Sequence, residues 1–140
     1  MIARDLMTPD PLTVTSQASI AEVWDLMREV DVRHVPVVQG GALVGMLSDR
    51  DLGRVDLARL LKIEGAGALR QELATPIAEV MTSHVISVEP QTEVGDVIAL
   101  LLDHKIGALP VVAAGTREVL GIISYVDVLR ALQGLLEDED

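Results

Sequence analysis

The chain states its pattern twice, and this duplication constrains the fold more than any other feature. Met7-Thr8 returns as Met81-Thr82, an offset of 74 residues. At that offset Val14 matches Val88, Gln17 matches Gln91, Val23 matches Val97 and Leu26 matches Leu100, and Pro36-Val37-Val38 returns as Pro110-Val111-Val112. Further on the offset becomes 76, pairing Gly45, Ser48 and Asp51 with Gly121, Ser124 and Asp127. The two added residues fall in Ala113 to Glu118, a Gly-containing stretch that reads as a turn, where insertions are tolerated. Two copies are too few for a solenoid, which needs at least three stacked repeats. A pseudo-twofold pair is expected instead.

Each copy carries the same succession of elements. A short apolar strand comes first, Leu12 to Val14 and Val85 to Val88. An amphipathic helix follows, with Ile20, Val23, Trp24 and Met27 matched by Val94, Val97, Ile98 and Leu101 at i, i+3, i+4, i+7 spacing. Ser19 and Glu22 form a capping box at the start of the first of these helices. Two strands are next, Val35 to Val38 with Leu43 to Leu47, and Leu109 to Val112 with Val119 to Ile123. A second helix then begins at Ser48 or Ser124. The fold class is therefore α+β, with α/β-like character: two β-α-β-β-α units related by a pseudo-twofold, their sheets packed together. One copy of ~50 residues alone would leave a sheet face bare. The boundaries read from the sequence are 1–60 for the first unit, 61–75 for a connector, 76–133 for the second unit and 134–140 for a solvated acidic tail. Gly65-Ala66-Gly67 belongs to the connector, and Thr75-Pro76 reads as an N-cap followed by Pro at the first helical position.

Composition narrows the function classes. Hydrophobic residues make up 49% of 140, yet aromatics are 1%, so the core is aliphatic. With no cysteine, disulfides, thiolate metal sites and cysteine nucleophiles are excluded. The three histidines are scattered, without ligand spacing, so no metal site is expected. The net charge of −11 disfavours nucleic acid and anionic membrane surfaces. No apolar run reaches the ~18 residues of a spanning helix, and the first five residues already carry charge, so a cytoplasmic protein is expected. The charge is uneven: residues 1–70 carry 8 basic and 10 acidic side chains, whereas residues 71–140 carry 3 and 12.

The signature that closes each copy is Gly45-Met46-Leu47-Ser48-Asp49-Arg50-Asp51 and Gly121-Ile122-Ile123-Ser124-Tyr125-Val126-Asp127. Ser-x-x-Asp directly after a strand is an N-cap pair, and capping alone accounts for a single copy. Two copies, each preceded by Met-Thr and by Pro-Val-Val at matching distances, resemble the cystathionine β-synthase (CBS) domain family. The resemblance runs from about Arg4 to Leu132 and is that of a free-standing tandem pair, a Bateman module. It implies two related clefts that take AMP, ADP, ATP or S-adenosylmethionine, a regulatory role, and a homodimer formed through helices.

Under that resemblance each nominated residue has a chemical task. Asp51 and Asp127 can accept from the neighbouring 2′ and 3′ hydroxyls of a ribose. An adenine slot is assigned to Pro11, Val14, Val35 and Pro36 in one cleft and to Val85, Leu109 and Pro110 in the other, with backbone groups at its edge. Phosphate is assigned to Ser48 and Ser124 at helix starts and to Arg33, His34 and Arg50, with Arg54 and Lys105 as weaker candidates. The second copy has Gly107-Ala108 and Tyr125-Val126 where the first has Arg33-His34 and Asp49-Arg50, so unequal sites are expected, one dominant, with a vestigial second site as the extreme case. No catalytic constellation is present; Ser48 and Ser124 lack a Gly-x-Ser-x-Gly elbow. The expected function is a non-enzymatic adenosine-nucleotide sensor that requires no cofactor and acts on an unidentified protein partner. The alternative is a ligand-free CBS pair serving dimerisation or protein interaction. Met7 and Met81 are expected in a core or lining a cleft, and Trp24 in a core, with partial exposure at a subunit interface as its alternative.

Overall fold

A computed structural model describes residues 1–53 and 57–138. In chain order the elements are α1 (Ala3–Leu6), β1 (Thr8–Pro9), β2 (Val14–Thr15), α2 (Ile20–Val30), β3 (His34–Gln39), β4 (Ala42–Ser48), α3 (Asp49–Gly53), α4 (Leu57–Leu73), a 3-10 turn (Ile77–Glu79), α5 (Val94–His104), β5 (Ala108–Val112), β6 (Val119–Ser124) and α6 (Tyr125–Asp138). The mixed class expected from the sequence is observed, with two three-stranded sheets, β2-β3-β4 and β1-β6-β5.

The chain divides into two compact units, and the division cuts across the repeats. Leu12–Gly40 joins Val44–Val85, while Met1–Pro11 and Gly41–Leu43 join Ile86–Asp140. They are called here the Asp51 unit and the Asp127 unit. The opening segment of each repeat is thus built into the unit that contains the close of the other. In the Asp127 unit β1 runs antiparallel to β6, with Thr8 opposite Ile122 and Pro9 opposite Gly121. In the Asp51 unit Thr82 bridges Met46 on β4 through two backbone hydrogen bonds of 2.9 Å. The anchors obey the repeat. Ala3 N–H donates to Thr92 O and Ile77 N–H to Ala18 O, both at 2.8 Å. Arg4 N–H donates to Pro90 O at 3.0 Å, and Ala78 N–H to Ser16 O at 3.1 Å.

This exchange explains the glycine of the closing signature. A Cβ at Gly45 would lie 2.3 Å from Met81 Sδ, and one at Gly121 would lie 2.5 Å from Met7 Sδ. A thioether crosses each sheet where only a backbone without a side chain leaves room. Both methionines pack on the cores as expected.

In the Asp51 unit β2 lies parallel to β3, Val14 opposite Val37. The core is aliphatic, from Ile20, Val23 and Met27 of α2, Val35 and Val37 of β3, and Leu47, Leu52 and Ile77, with Trp24 partly buried against it. Ser19 caps α2, its Oγ accepting from Glu22 N–H at 3.2 Å, as the capping box predicts. Residues 61–73 of the expected connector are helical, and α4 is interrupted at Gly65, whose φ of 86° is open to glycine. Thr75 is not the N-cap that the sequence suggests. Its hydroxyl donates back to Gln71 O at 3.4 Å, Pro76 takes the cap position with ψ of 140°, and the helix it precedes is a single 3-10 turn. The previous helix claims Thr75 first.

In the Asp127 unit β5 and β6 pair antiparallel, from Ala108 opposite Ser124 to a bulge at Val111 and Val112. The strand expected over Val85 to Val88 shrinks to one parallel bridge, Val88 with Val111, because the chain meets β5 only there. Val97, Leu101, Leu109, Val111 and Ile123 join Ala3 and Leu6 in the core. The presumed tail is helical as far as Asp138, the last residue described, as part of α6. No residue of α6 is buried, and Tyr125, Leu129, Leu132 and Leu136 are exposed at 4-3-4 spacing. No helix of the described residues is long and apolar enough to cross a membrane.

Candidate functional site

Strands β4 and β6 each end on a serine that opens a helix, and the aspartate three residues later turns back onto it. Ser48 N–H donates to Asp51 Oδ2 at 2.8 Å, and Ser48 Oγ–H donates to the same oxygen at 3.1 Å. In return, Asp51 N–H donates to Ser48 Oγ at 3.4 Å. Ser124 and Asp127 repeat these three contacts at 2.8, 3.0 and 3.4 Å. Capping therefore occupies one carboxylate oxygen in each unit, an N-terminal device with aspartate in place of the usual glutamate. The other oxygen, Oδ1, takes no part in it.

The two Oδ1 atoms differ in their neighbours. Thr8 Oγ1–H donates to Asp127 Oδ1 at 3.2 Å. Thr82 is the repeat counterpart of Thr8, yet among the described residues no bond joins it to Asp51. Sequence reasoning noted Met-Thr as a repeated opening without assigning Thr8 to a site. The available signal was its recurrence at the offset of 74 that also relates the Pro-Val-Val strands; the missing information was the exchange that carries it to β6.

Of the nominated phosphate residues, Arg33, His34, Ser48 and Arg50 lie in the Asp51 unit, and Lys105 and Ser124 in the Asp127 unit. Arg33 O accepts from Asp49 N–H at 2.9 Å, which ties the residue before β3 to the start of α3. His34 opens β3 and is half-buried. Desolvation by burial lowers its pKa below the ordinary imidazole value; Arg33 and Arg50 push the same way, and Asp49 and Asp51 oppose them. Near neutrality the ring is a neutral hydrogen-bonding group. The Arg33 and Arg50 side chains are exposed, and Lys105 caps α5 in the left-handed conformation with φ of 53°. Arg54 lies outside the described residues.

At the positions of Arg33, His34 and Arg50 the Asp127 unit has Gly107, Ala108 and Val126, while Arg130 is the repeat counterpart of Arg54 and Lys105 lies in this unit. Gly107 O accepts from Tyr125 N–H at 3.3 Å, and the Tyr125 hydroxyl donates to Leu101 O, also at 3.3 Å. Val126 is exposed. The Asp127 unit holds 4 basic and 12 acidic residues, a net charge of −8, against 7 and 10, a net of −3, in the Asp51 unit.

The nominated adenine residues are distributed less simply. Val14, Val35 and Leu109 belong to the cores, so only their backbone can edge a slot. Pro36 and Pro110 are buried within β3 and β5, and Pro110 O accepts from Val88 N–H at 3.1 Å. Pro11 is counted with the Asp127 unit and Val85 with the Asp51 unit, so neither shares a unit with the strand assigned to it. A separate open groove of about 370 Å³ lies in the Asp127 unit between Ser87, Thr92, Val112 and Arg117. It contains none of the nominated residues and sits at the hairpin end of β5, away from Ser124.

Comparison with known proteins places these features in a family. The CBS domain family model matches residues 3–57 and 77–134. The chain is 33% identical over 125 residues to the CBS domain-containing protein YhcV of Bacillus subtilis, covering 89% of this chain and 81% of that protein. Several longer curated relatives are matched over only about a quarter of their length, 23% in each case. Among solved structures, CBSX2 in complex with AMP has a TM-score of 0.80 at 29% identity, covering 96% of this chain and 97% of that one. The CBS domain pair of protein MJ0100, in complex with 5′-methylthioadenosine and S-adenosyl-L-methionine, has a TM-score of 0.77 at 27% identity, with the same coverage of both chains.

Proposed function

The chain belongs to the CBS domain family, and we propose that it is a regulatory, non-catalytic module that binds adenosine compounds at Asp51 and Asp127. The observation that carries this reading is the twice-repeated carboxylate whose Oδ2 completes a helix cap while Oδ1 is left out of it. A ribose presents two adjacent hydroxyl donors, and a carboxylate oxygen held in place by a cap accepts them at little ordering cost. The relatives solved with AMP, 5′-methylthioadenosine and S-adenosylmethionine support adenosine as the common part of the ligand. Arg33, His34 and Arg50 are the phosphate-facing residues of this reading. A ligand that binds one arrangement of the module better than another shifts its population, and a cytoplasmic protein partner would read that shift.

The test is the melting temperature with AMP, ADP, ATP and S-adenosylmethionine in turn. Ligand at ~100 times its dissociation constant adds about 2.7 kcal/mol, which is roughly 10 °C for a chain of this size. Absence of any shift at millimolar concentration would favour the second reading, a pair that works through its surfaces. One observation speaks for that reading: the exposed seam of Tyr125, Leu129, Leu132 and Leu136 on α6, a face suited to a second copy of the chain. The two readings are compatible, and a homodimer through α6 is part of the proposal.

A further inference from the structure

We propose that the open groove at the hairpin end of β5 is a separate binding site for a small zwitterion, an α-amino acid with a short aliphatic side chain. The groove holds about 370 Å³, a volume usual for small-molecule sites, and lies wholly in the Asp127 unit. None of its residues belongs to the capped carboxylates, so the site stands apart from the adenosine reading.

The charged residues of the groove occur in one repeat only. The two residues that lengthen the second hairpin fall in Ala113 to Glu118, which builds one wall. There Arg117 takes the place that Gly41 holds in the first repeat, and both backbones are left-handed, with φ of 59° and 80°. That conformation costs a residue with a side chain more than it costs glycine, so the loop holds this guanidinium at the groove against a backbone preference. The other wall carries Glu89 and Thr92, where the first repeat has Thr15 and Ala18. Neither charge is part of the duplicated pattern.

Both walls are held by their backbones. Val88 is fixed to β5, its N–H donating to Pro110 O at 3.1 Å and its O accepting from Val112 N–H at 2.8 Å. The turn after it closes on itself: Glu89 N–H donates to Thr92 Oγ1 at 3.1 Å, and Thr92 N–H donates to Glu89 O at 3.0 Å. Arg117 N–H donates to Ala113 O at 3.1 Å, and Arg117 O accepts from Leu43 N–H at 3.0 Å. Among the described residues, Glu89 and Arg117 bond through their backbones alone. A carboxylate and a guanidinium therefore flank one groove with both heads open to a ligand.

Opposite charges on the two walls select the ligand class. A lone carboxylate is drawn to Arg117 and repelled by Glu89, and a lone amine meets the converse. A molecule carrying both charges a few bonds apart satisfies both walls: its carboxylate takes two parallel N–H bonds from the guanidinium, and its ammonium donates to Glu89. Thr92 Oγ1 accepts from Glu89 N–H and keeps its own proton for a ligand oxygen. Val88, Leu100 and Val112 form an apolar floor, of which only Leu100 is more than slightly exposed, a surface that suits a short aliphatic side chain.

Heteronuclear NMR titration of the full chain with L-valine as the probe tests the site. The amides of Glu89, Thr92, Ala113 and Arg117 are expected to shift and saturate, while those of Ser124 and Asp127 stay in place. Isovalerate and isobutylamine are valine without its amine and without its carboxylate, and each should bind about tenfold more weakly. Glu89→Gln should weaken valine about tenfold and leave isovalerate no weaker, because the repelling carboxylate is gone. Arg117→Gly, which suits the left-handed position, should leave the chain folded by circular dichroism and abolish valine binding. Isovalerate bound as tightly as valine overturns the zwitterion, and so do valine shifts that persist in Arg117→Gly. Millimolar valine that moves none of these amides overturns the site, the result expected if Glu89 and Arg117 only neutralise each other. AMP in a parallel titration reports on the aspartates alone, so either reading can fail without the other.

Discussion

Gly45→Ala tests the exchange of opening segments through a contact worked out to the atom. The added methyl carbon would sit 2.3 Å from Met81 Sδ and 3.0 Å from both Met81 Cγ and Cε, so no small rotation of the thioether end clears it. Overpacking of this kind costs about 1–3 kcal/mol. An unfolding entropy of about 2.1 cal/mol/K per residue gives roughly 0.3 kcal/mol/K for the chain, so the melting temperature should fall by about 3–10 °C. Met81→Ala alone should cost about 2 kcal/mol, the low end for a methionine, because this side chain is only partly buried. Combined, the new methyl occupies space that the methionine has left, and the double variant should be about 1–3 kcal/mol more stable than the sum of the single effects. Met7→Ala, from the same repeat as Gly45, should simply add. Gly121→Ala should show the converse pattern, relieved by Met7→Ala and indifferent to Met81→Ala. Scanning calorimetry on the four single and four double variants measures these couplings. Gly45 coupled to Met7 rather than Met81 would refute the exchange and the composition of both units with it.

Three further outcomes follow from other contacts. Ser124→Ala removes the hydroxyl that accepts from Asp127 N–H and donates to its carboxylate, and should lower stability by about 1 kcal/mol, roughly 3 °C by thermal melting. His34, its pKa lowered by burial, stays neutral in the folded chain where the unfolded chain already binds a proton. Its contribution is therefore complete above about pH 6.5 and lost as pH falls through the depressed folded value; His34→Gln should flatten that part of the stability–pH curve in matched denaturant titrations. Leu129→Glu, at a site 62% exposed on α6, should leave the melting temperature of the unliganded chain at low concentration unchanged and convert a dimer to a monomer in sedimentation analysis.

Local pattern was readable, and non-local pairing was not. The helix over Ile20–Val30 follows from its apolar spacing and its Ser19 cap; the strands over His34–Gln39 and Val119–Ser124 follow from their Val-, Leu- and Ile-rich sequences. The Ser48 and Asp51 geometry follows from the same three-residue chemistry that made a bland reading credible, and the bland reading holds for Oδ2. What escaped is whatever depends on a partner far along the chain. Thr8 reaches Asp127 across 119 residues, and nothing near Thr8 signals this. Val85 to Val88 has strand-forming residues but meets β5 at one position only. Thr75 had cap chemistry on both sides, and the helix behind it won. Gly65 reads as part of a connector, yet it is a break within α4.

The exchange also bears on what a duplicated chain means physically. Were each repeat a complete folding unit, its opening segment would pack on its own sheet. Instead, Ile77, fully buried, fills the core around α2, while Ala3 and Leu6 fill the core around α5. A fragment ending before Pro76 would lack Ile77 and Met81 and keep its own opening segment, including Ala3, Leu6 and Met7, with no sheet to pack on. The capping pair at Ser48 and Asp51 would survive locally, yet Met46 on the strand delivering it would lose its two hydrogen bonds to Thr82. The carboxylate assigned to a ligand is thus held by residues from both repeats. Sequence duplication supplied two capped carboxylates, and the swapped openings pair the strand that delivers each with a segment of the other repeat.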